Sequence, residues 1–150
     1  MPKTINICSG QAEDIQQLLP NEVLISIGEE YGDFWKLQVD GERVLKLRFS
    51  DVRAIINYKG NIMRPISVEQ AHEIISFIQK WEGYDILVNC AASVNRSASI
   101  SMFLHLFFGY ELKPNFYRSS EGNPFVLGVL IQEYMKLKNG IYNNDFKFSF

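Results

Sequence analysis

The run Ile86-Leu87-Val88-Asn89 leaves a chain of this kind little freedom. It is apolar without alternation, it follows a helix-period segment, and it leads into small polar residues. A strand that shows no polar face is buried on both sides, the mark of a central strand in a largely parallel sheet flanked by helices. The class that satisfies this is α/β.

The flanking pattern agrees. Ile5 to Cys8, Val23 to Ile27 and Val44 to Phe49 read as further strands, the last alternating apolar and basic residues. Ser9 is a candidate cap for a helix from Gly10 to Leu19, stopped by Pro20. Asp40-Gly41 is a turn signal. Ser67-Val68-Glu69-Gln70 has the form of a capping box, opening a helix with Ala71, Ile74, Ile75, Ile78 and Trp81 on one stripe and Gly83 at its end. Further helices are expected from about Ser97 to Phe108 and, with Asn123 as cap and Pro124 in the first turn, to about Lys138. Ser50 to Pro65 reads as irregular. No repeat or Pro/Gly/Ser-rich linker divides the 150 residues, so the expectation is a single domain over 1–150, with a central, mostly parallel sheet of about four to five strands flanked by helices.

A net charge of −2 gives no general basic field, which disfavours a nucleic-acid partner. The longest nearly apolar stretch, Ile100 to Phe108, is too short to span a bilayer, so no membrane partner is expected. The first residues lack the apolar run of a signal peptide. Two cysteines, Cys8 and Cys90, are then read as reduced thiols of a cytoplasmic protein. No His or carboxylate pair has metal-ligand spacing, and neither metal nor cofactor is expected. Oligomeric state is not legible in the residues.

The chemistry concentrates after the buried strand, at Cys90-Ala91-Ala92-Ser93-Val94-Asn95-Arg96-Ser97. Backbone N–H groups curling into a helix N-terminus form a nest for an anion. The same field favours a cysteine there in its nucleophilic thiolate form. Arg96 closes the loop with a planar fork that matches two phosphate oxygens. The Ser97 hydroxyl is placed to donate to the Cys90 sulfur when that sulfur must leave. With two cysteines, six arginines and twelve serines in the chain, a chance Cys-(x)5-Arg-Ser has a probability of roughly 0.6%, so the match carries weight.

Cys-(x)5-Arg-Ser after an apolar strand resembles the signature of the protein tyrosine and dual-specificity phosphatase superfamily. Leu45-Lys46-Leu47-Arg48-Phe49-Ser50-Asp51, the Ser67-to-Trp81 helix and Ile86 to Ser99 are similar in order and spacing to small bacterial and viral members, and the likeness spans roughly residues 44 to 135. It departs from the family at Asn89, usually His, and at Ser93, usually Gly.

The resemblance implies a phosphatase-like sheet and a phosphatase acting through a cysteinyl-phosphate. Cys90 is then the nucleophile, and Ala91, Ala92, Ser93, Val94, Asn95 and Arg96 hold the phosphate. Ser97 assists, and an Asp from another loop protonates the leaving oxygen. Asp51 is the choice for that acid, because it follows a strand as Cys90 does and strand carboxyl ends share an edge if the strands are parallel. Asp85 precedes its strand, and Asp33 and Asp40 are the alternatives. His72 is expected to be solvated and His105 to be a packed or partly exposed helix residue.

The uncharged loop disfavours a phosphoinositide, leaving a phosphorylated protein or small phosphomonoester as substrate. A second reading, motivated by Asn89 and Ser93, is a weak pseudophosphatase that binds a phosphorylated ligand. A third is another Cys-loop enzyme, a sulfurtransferase or arsenate reductase, which has no need of Asp51 and Ser97.

Overall fold

The computed structural model describes residues 4–8, 15–31, 37–90, 95–112 and 122–140. Its strands are β1 (Thr4–Cys8), β2 (Glu22–Gly28), β3 (Val44–Arg48), β4 (Ile56–Tyr58), β5 (Asn61–Met63), β6 (Asp85–Cys90) and β7 (Glu111–Leu112). Its helices are α1 (Val68–Lys80), α2 (Asn95–Phe108) and α3 (Pro124–Lys138). The class is α/β.

β6 lies at the middle of a parallel sheet in the order β3-β2-β6-β1-β7. Three strands, β2, β6 and β1, have neighbours on both sides. β3 forms one edge and the two-residue β7 the other. Alternation along β2 sorts its side chains. Val23, Ile25 and Ile27 join Ile86 and Val88 in a core shared with all three helices, whereas Leu24 packs with Leu87 and Ile15 in a smaller cluster on the other face. That second cluster is roofed by Leu18, Leu37, Val39 and Val44. Among the described residues the helices thus lie on one face, with α3 packed against both α1 and α2.

α1 starts where the capping box predicts. Ser67 Oγ accepts the Gln70 N–H and Gln70 Oε1 accepts the Ser67 N–H, and the Gln70 amide also donates to Arg48 O at 2.8 Å, fastening the helix to the end of β3. α3 starts at its Asn123 cap, with Pro124 in the first turn. Phe103, Phe107, Phe108 and Tyr134 form an aromatic cluster, the rings 5.1–5.8 Å apart.

Several expectations change. The predicted helix from Gly10 to Leu19 is not helical over residues 15–19, and residues 9–14 lie outside the described ones; Ile15 and Leu18 instead pack, without regular secondary structure, on the second face. The stretch read as irregular contains the β4–β5 hairpin. Its two-residue loop is Lys59-Gly60, both at positive φ (50° and 85°), the left-handed pair that suits a tight hairpin. Asn57 Oδ1 accepts the Gly60 N–H at 3.1 Å. α2 begins at Asn95, two residues ahead of Ser97. His72 is not solvated: it is buried against α3, its Nε2 3.0 Å from Glu133 Oε1.

Candidate active site

Because the sheet is parallel, the carboxyl ends of β2, β3 and β6 open on one edge. Ile27 pairs with Cys90, and Gly28 with Arg48. The residues that follow, Glu29 after β2, Phe49 to Asp51 after β3, and the α2 N-terminus after β6, therefore meet at that edge.

Cys90 is buried at the end of β6. Its Sγ lies 3.3 Å from Ser97 Oγ and accepts the Ser97 backbone N–H at 3.4 Å. The sulfur thus faces the first turn of α2, where the helix dipole favours negative charge. Ser97 is fully buried, and its carbonyl accepts the Ser101 hydroxyl at 2.8 Å.

Arg96 points the other way around the turn. Its guanidinium is buried, donating through Nη1 to Phe49 O at 2.6 Å and through Nη2 to the Glu29 carboxylate. The ends of β3 and β2 thereby hold one fork in a set orientation. Glu29 has no signature in the sequence; the available signal is its place directly after an apolar strand of a parallel sheet. The next residue, Glu30, accepts the Ser50 hydroxyl at 2.7 Å and the Arg64 N–H at 2.5 Å.

Asp51 reaches the same edge, as expected from its position after β3. Its Oδ2 accepts from Asn95 Nδ2 at 3.0 Å and its Oδ1 from Asn123 Nδ2 at 2.9 Å. Asn123 also caps α3, accepting the Phe125 and Val126 N–H groups. Ser99 Oγ accepts the Asn123 N–H at 2.7 Å and is 2.9 Å from Asn123 O. Asp51 is therefore the node joining the first turn of α2 to the first turn of α3. Gly122, at φ +70°, makes this approach feasible: a Cβ there would stand 2.8 Å from Ser99 Oγ.

Of the predicted site, Cys90, Arg96, Ser97, Asp51 and Asn95 come together. Asn95 is the first residue of α2, with its side chain turned to Asp51. Ala91, Ala92, Ser93 and Val94 lie outside the described residues, as do Asp33, the 141–150 tail and the Cys8 side chain. Cys8 Cα is in register with Asn89. Asn89 is buried, and its Oδ1 has no hydrogen-bond partner among the described residues.

Asp40 does not belong to the site. It precedes β3 at the opposite edge of the sheet, its side chain 84% exposed and paired with Lys46 at 3.4 Å. The Gly41 N–H, then the Lys46 ammonium, hold its carboxyl below the usual carboxylate range. Asp85 likewise opens β6 at that far edge, taking the Asn21 amide at 3.0 Å. His105 is exposed and bonds Tyr110 O at 2.8 Å, beyond the far end of α2 from Cys90.

Among the described residues, no group of three His, Cys, Asp or Glu side chains converges on a metal-sized site, and no helix is long and apolar enough to cross a membrane. Compared with protein-family models, curated proteins and solved structures, the chain matches none. A functional reading therefore rests on the residues and their geometry.

Proposed function

We propose that this chain is a cysteine-based phosphatase of the tyrosine/dual-specificity kind, hydrolysing phosphomonoesters of proteins in a reducing, cytoplasmic setting. The observation that carries the reading is the Cys90–Ser97 contact at the start of α2, beside an Arg96 fork anchored from two strand ends. A parallel sheet whose central strand ends in the nucleophile is the phosphatase-like arrangement that the motif implies.

In this mechanism the Cys90 thiolate attacks phosphorus, and the P–O bond to the leaving group breaks as the P–S bond forms. Arg96 and loop N–H groups neutralise charge on the equatorial oxygens. Asp51 delivers a proton to the leaving oxygen. Water then attacks the cysteinyl-phosphate, its proton returning to Asp51. Phosphate departs and the sulfur recovers its electron pair, with the Ser97 hydroxyl 3.3 Å away to stabilise it.

The test is hydrolysis of p-nitrophenyl phosphate by wild type and Cys90→Ser. Wild type should turn over and the variant should be inactive, while still binding phosphate or vanadate and unfolding as wild type does. A variant keeping most of the activity would overturn covalent catalysis.

One observation favours a second reading. Both Asp51 oxygens accept amide donors from Asn95 and Asn123, the arrangement of a structural tie. A chain with that tie and no acid would hold a phosphorylated ligand without efficient turnover, as a pseudophosphatase does.

A further inference from the structure

From Val52 to Val68 the chain carries Arg53, Lys59 and Arg64 and no acidic residue; Arg64 is paired with Glu30 at 3.6 Å, which leaves the exposed Arg53 and Lys59 as the cations this stretch offers a partner. This stretch holds the β4–β5 hairpin, which is not hydrogen-bonded to the main sheet. It presents Ile55, Ile56 and Tyr58 to solvent at 68%, 42% and 56% exposure. Three large apolar side chains on one short projection form a patch of the sort that marks an interaction surface.

The hairpin is rooted beside the site. The Ser50 N–H donates to Arg64 O at 2.8 Å, clamping its base one residue from Asp51. Glu29, Glu30 and Tyr31 are consecutive, and each holds a different piece: Glu29 the Arg96 guanidinium, Glu30 the Arg64 N–H, Tyr31 the Ile62 carbonyl. Whatever covers the hairpin therefore lies at the Cys90 edge of the sheet.

The hairpin also offers backbone. Tyr58 and Asn61 flank a two-residue loop and pair directly. By antiparallel alternation, the Asn57 and Ile62 main-chain groups then point away from each other. Tyr31 takes up the Ile62 side, whereas β4 is exposed along its whole length. β4 is thus an open edge with exposed apolar side chains, flanked in sequence by Arg53 and Lys59 and suited to an added strand.

We infer that the β4 edge is the docking surface for an extended acidic segment, with interspersed apolar residues, of the protein whose phosphorylated residue enters the Cys90 site. The substrate role rests on the phosphatase reading; the docking of an acidic strand does not. A bilayer surface fits less well, since it makes no use of a backbone edge.

The experiment compares wild type with Arg53→Glu/Lys59→Glu and with Asn57→Pro, each checked for unaltered thermal unfolding. Proline on an edge strand removes an outward N–H and leaves the β4–β5 ladder in place; Asn57→Ala, which loses only the side-chain bond to the Gly60 N–H, is the control and should bind as wild type does. Binding of a fluorescent, unphosphorylated Glu/Leu-rich peptide is measured by anisotropy. Hydrolysis is measured on p-nitrophenyl phosphate and on a phosphopeptide with the same flanks.

Both variants should bind the peptide at least about tenfold more weakly. They should raise the phosphopeptide KM in proportion and leave p-nitrophenyl phosphate kinetics unchanged. Peptide binding that weakens in the variants while wild type lacks all hydrolysis would uphold the docking surface and sink the phosphatase reading. Unchanged peptide binding in both variants would overturn the proposal. So would wild-type binding to phosphatidylserine vesicles, abolished by the charge reversal, with no affinity for the peptide.

Discussion

Two clusters of buried polar groups behave differently in this molecule. Between α1 and α3 a single pair, His72 and Glu133, is enclosed by apolar side chains and shares Glu133 with Lys136 at 3.3 Å. At the carboxyl edge of the sheet, Arg96, Ser97, Ser99, Asn123 and the Cys90 thiol are all buried, with Glu29 bonded to Arg96 and Asp51 bonded to Asn123. The first cluster holds two helices together. The second gathers a buried thiol, a fixed cation and a carboxylate at one place, a concentration of desolvated polar groups that stability alone does not require. Changes in the second should therefore show in activity before stability, and changes in the first the reverse.

Asp51→Asn should separate the two roles open to that residue with the largest effect. As a general acid, its loss lowers the rate on alkyl phosphates by about 10²–10⁴-fold and on p-nitrophenyl phosphate by much less. As a tie alone, it lowers both rates equally and reduces the melting temperature, because Asn123 Nδ2 then faces an amide rather than a carboxylate. Arg96→Lys comes next. An ammonium cannot hold the Phe49 carbonyl and the Glu29 carboxylate together while presenting a fork, so kcat/KM should fall about 10²–10³-fold. Near wild-type kinetics would remove Arg96 from the site.

On the other side of the comparison, Glu133→Ala removes the buried carboxylate that His72 and Lys136 contact and should cost about 1–3 kcal/mol of stability in denaturant unfolding. Turnover per folded molecule should be unchanged. An activity loss without a stability loss would erase the distinction between the clusters. The smallest effect is on pH dependence. Burial first, then the charges of Glu82 and Asp85, push the Tyr110 phenol up to about 12. The folded state then keeps a proton that the unfolded chain gives up near 10, so this contribution is intact below pH 10 and is lost as pH rises toward 12. Tyr110→Phe should flatten that alkaline limb.

Local spacing was enough for some of this. Cys90, Arg96 and Ser97 are one loop and one helical turn, and their relation follows from a strand that must stop and a helix that must start. The Ser67–Gln70 box and the Asn123-Pro124 start are likewise satisfied within three residues. The hairpin was hidden because its strands are three residues long and its turn is Lys-Gly, weaker than the Asn-Gly or Asp-Gly pairs that announce one. The proposed helix after Ser9 failed over 15–19, where covering the second face with Ile15 and Leu18 outweighed local caps.

What the chain determined by itself was the class and the loop: an apolar strand that needs cover on both faces, and a cysteine six residues ahead of an arginine at a helix start. The tertiary structure alone decided the partners. Glu29 meets Arg96 across 67 residues, Asn123 meets Asp51 across 72, and His72 meets Glu133 across 61. No periodicity encodes such pairs. They exist because parallel strands deliver their carboxyl ends to one edge and three helices share one face, and a buried charge placed there must find whichever opposite group the packing brings within reach.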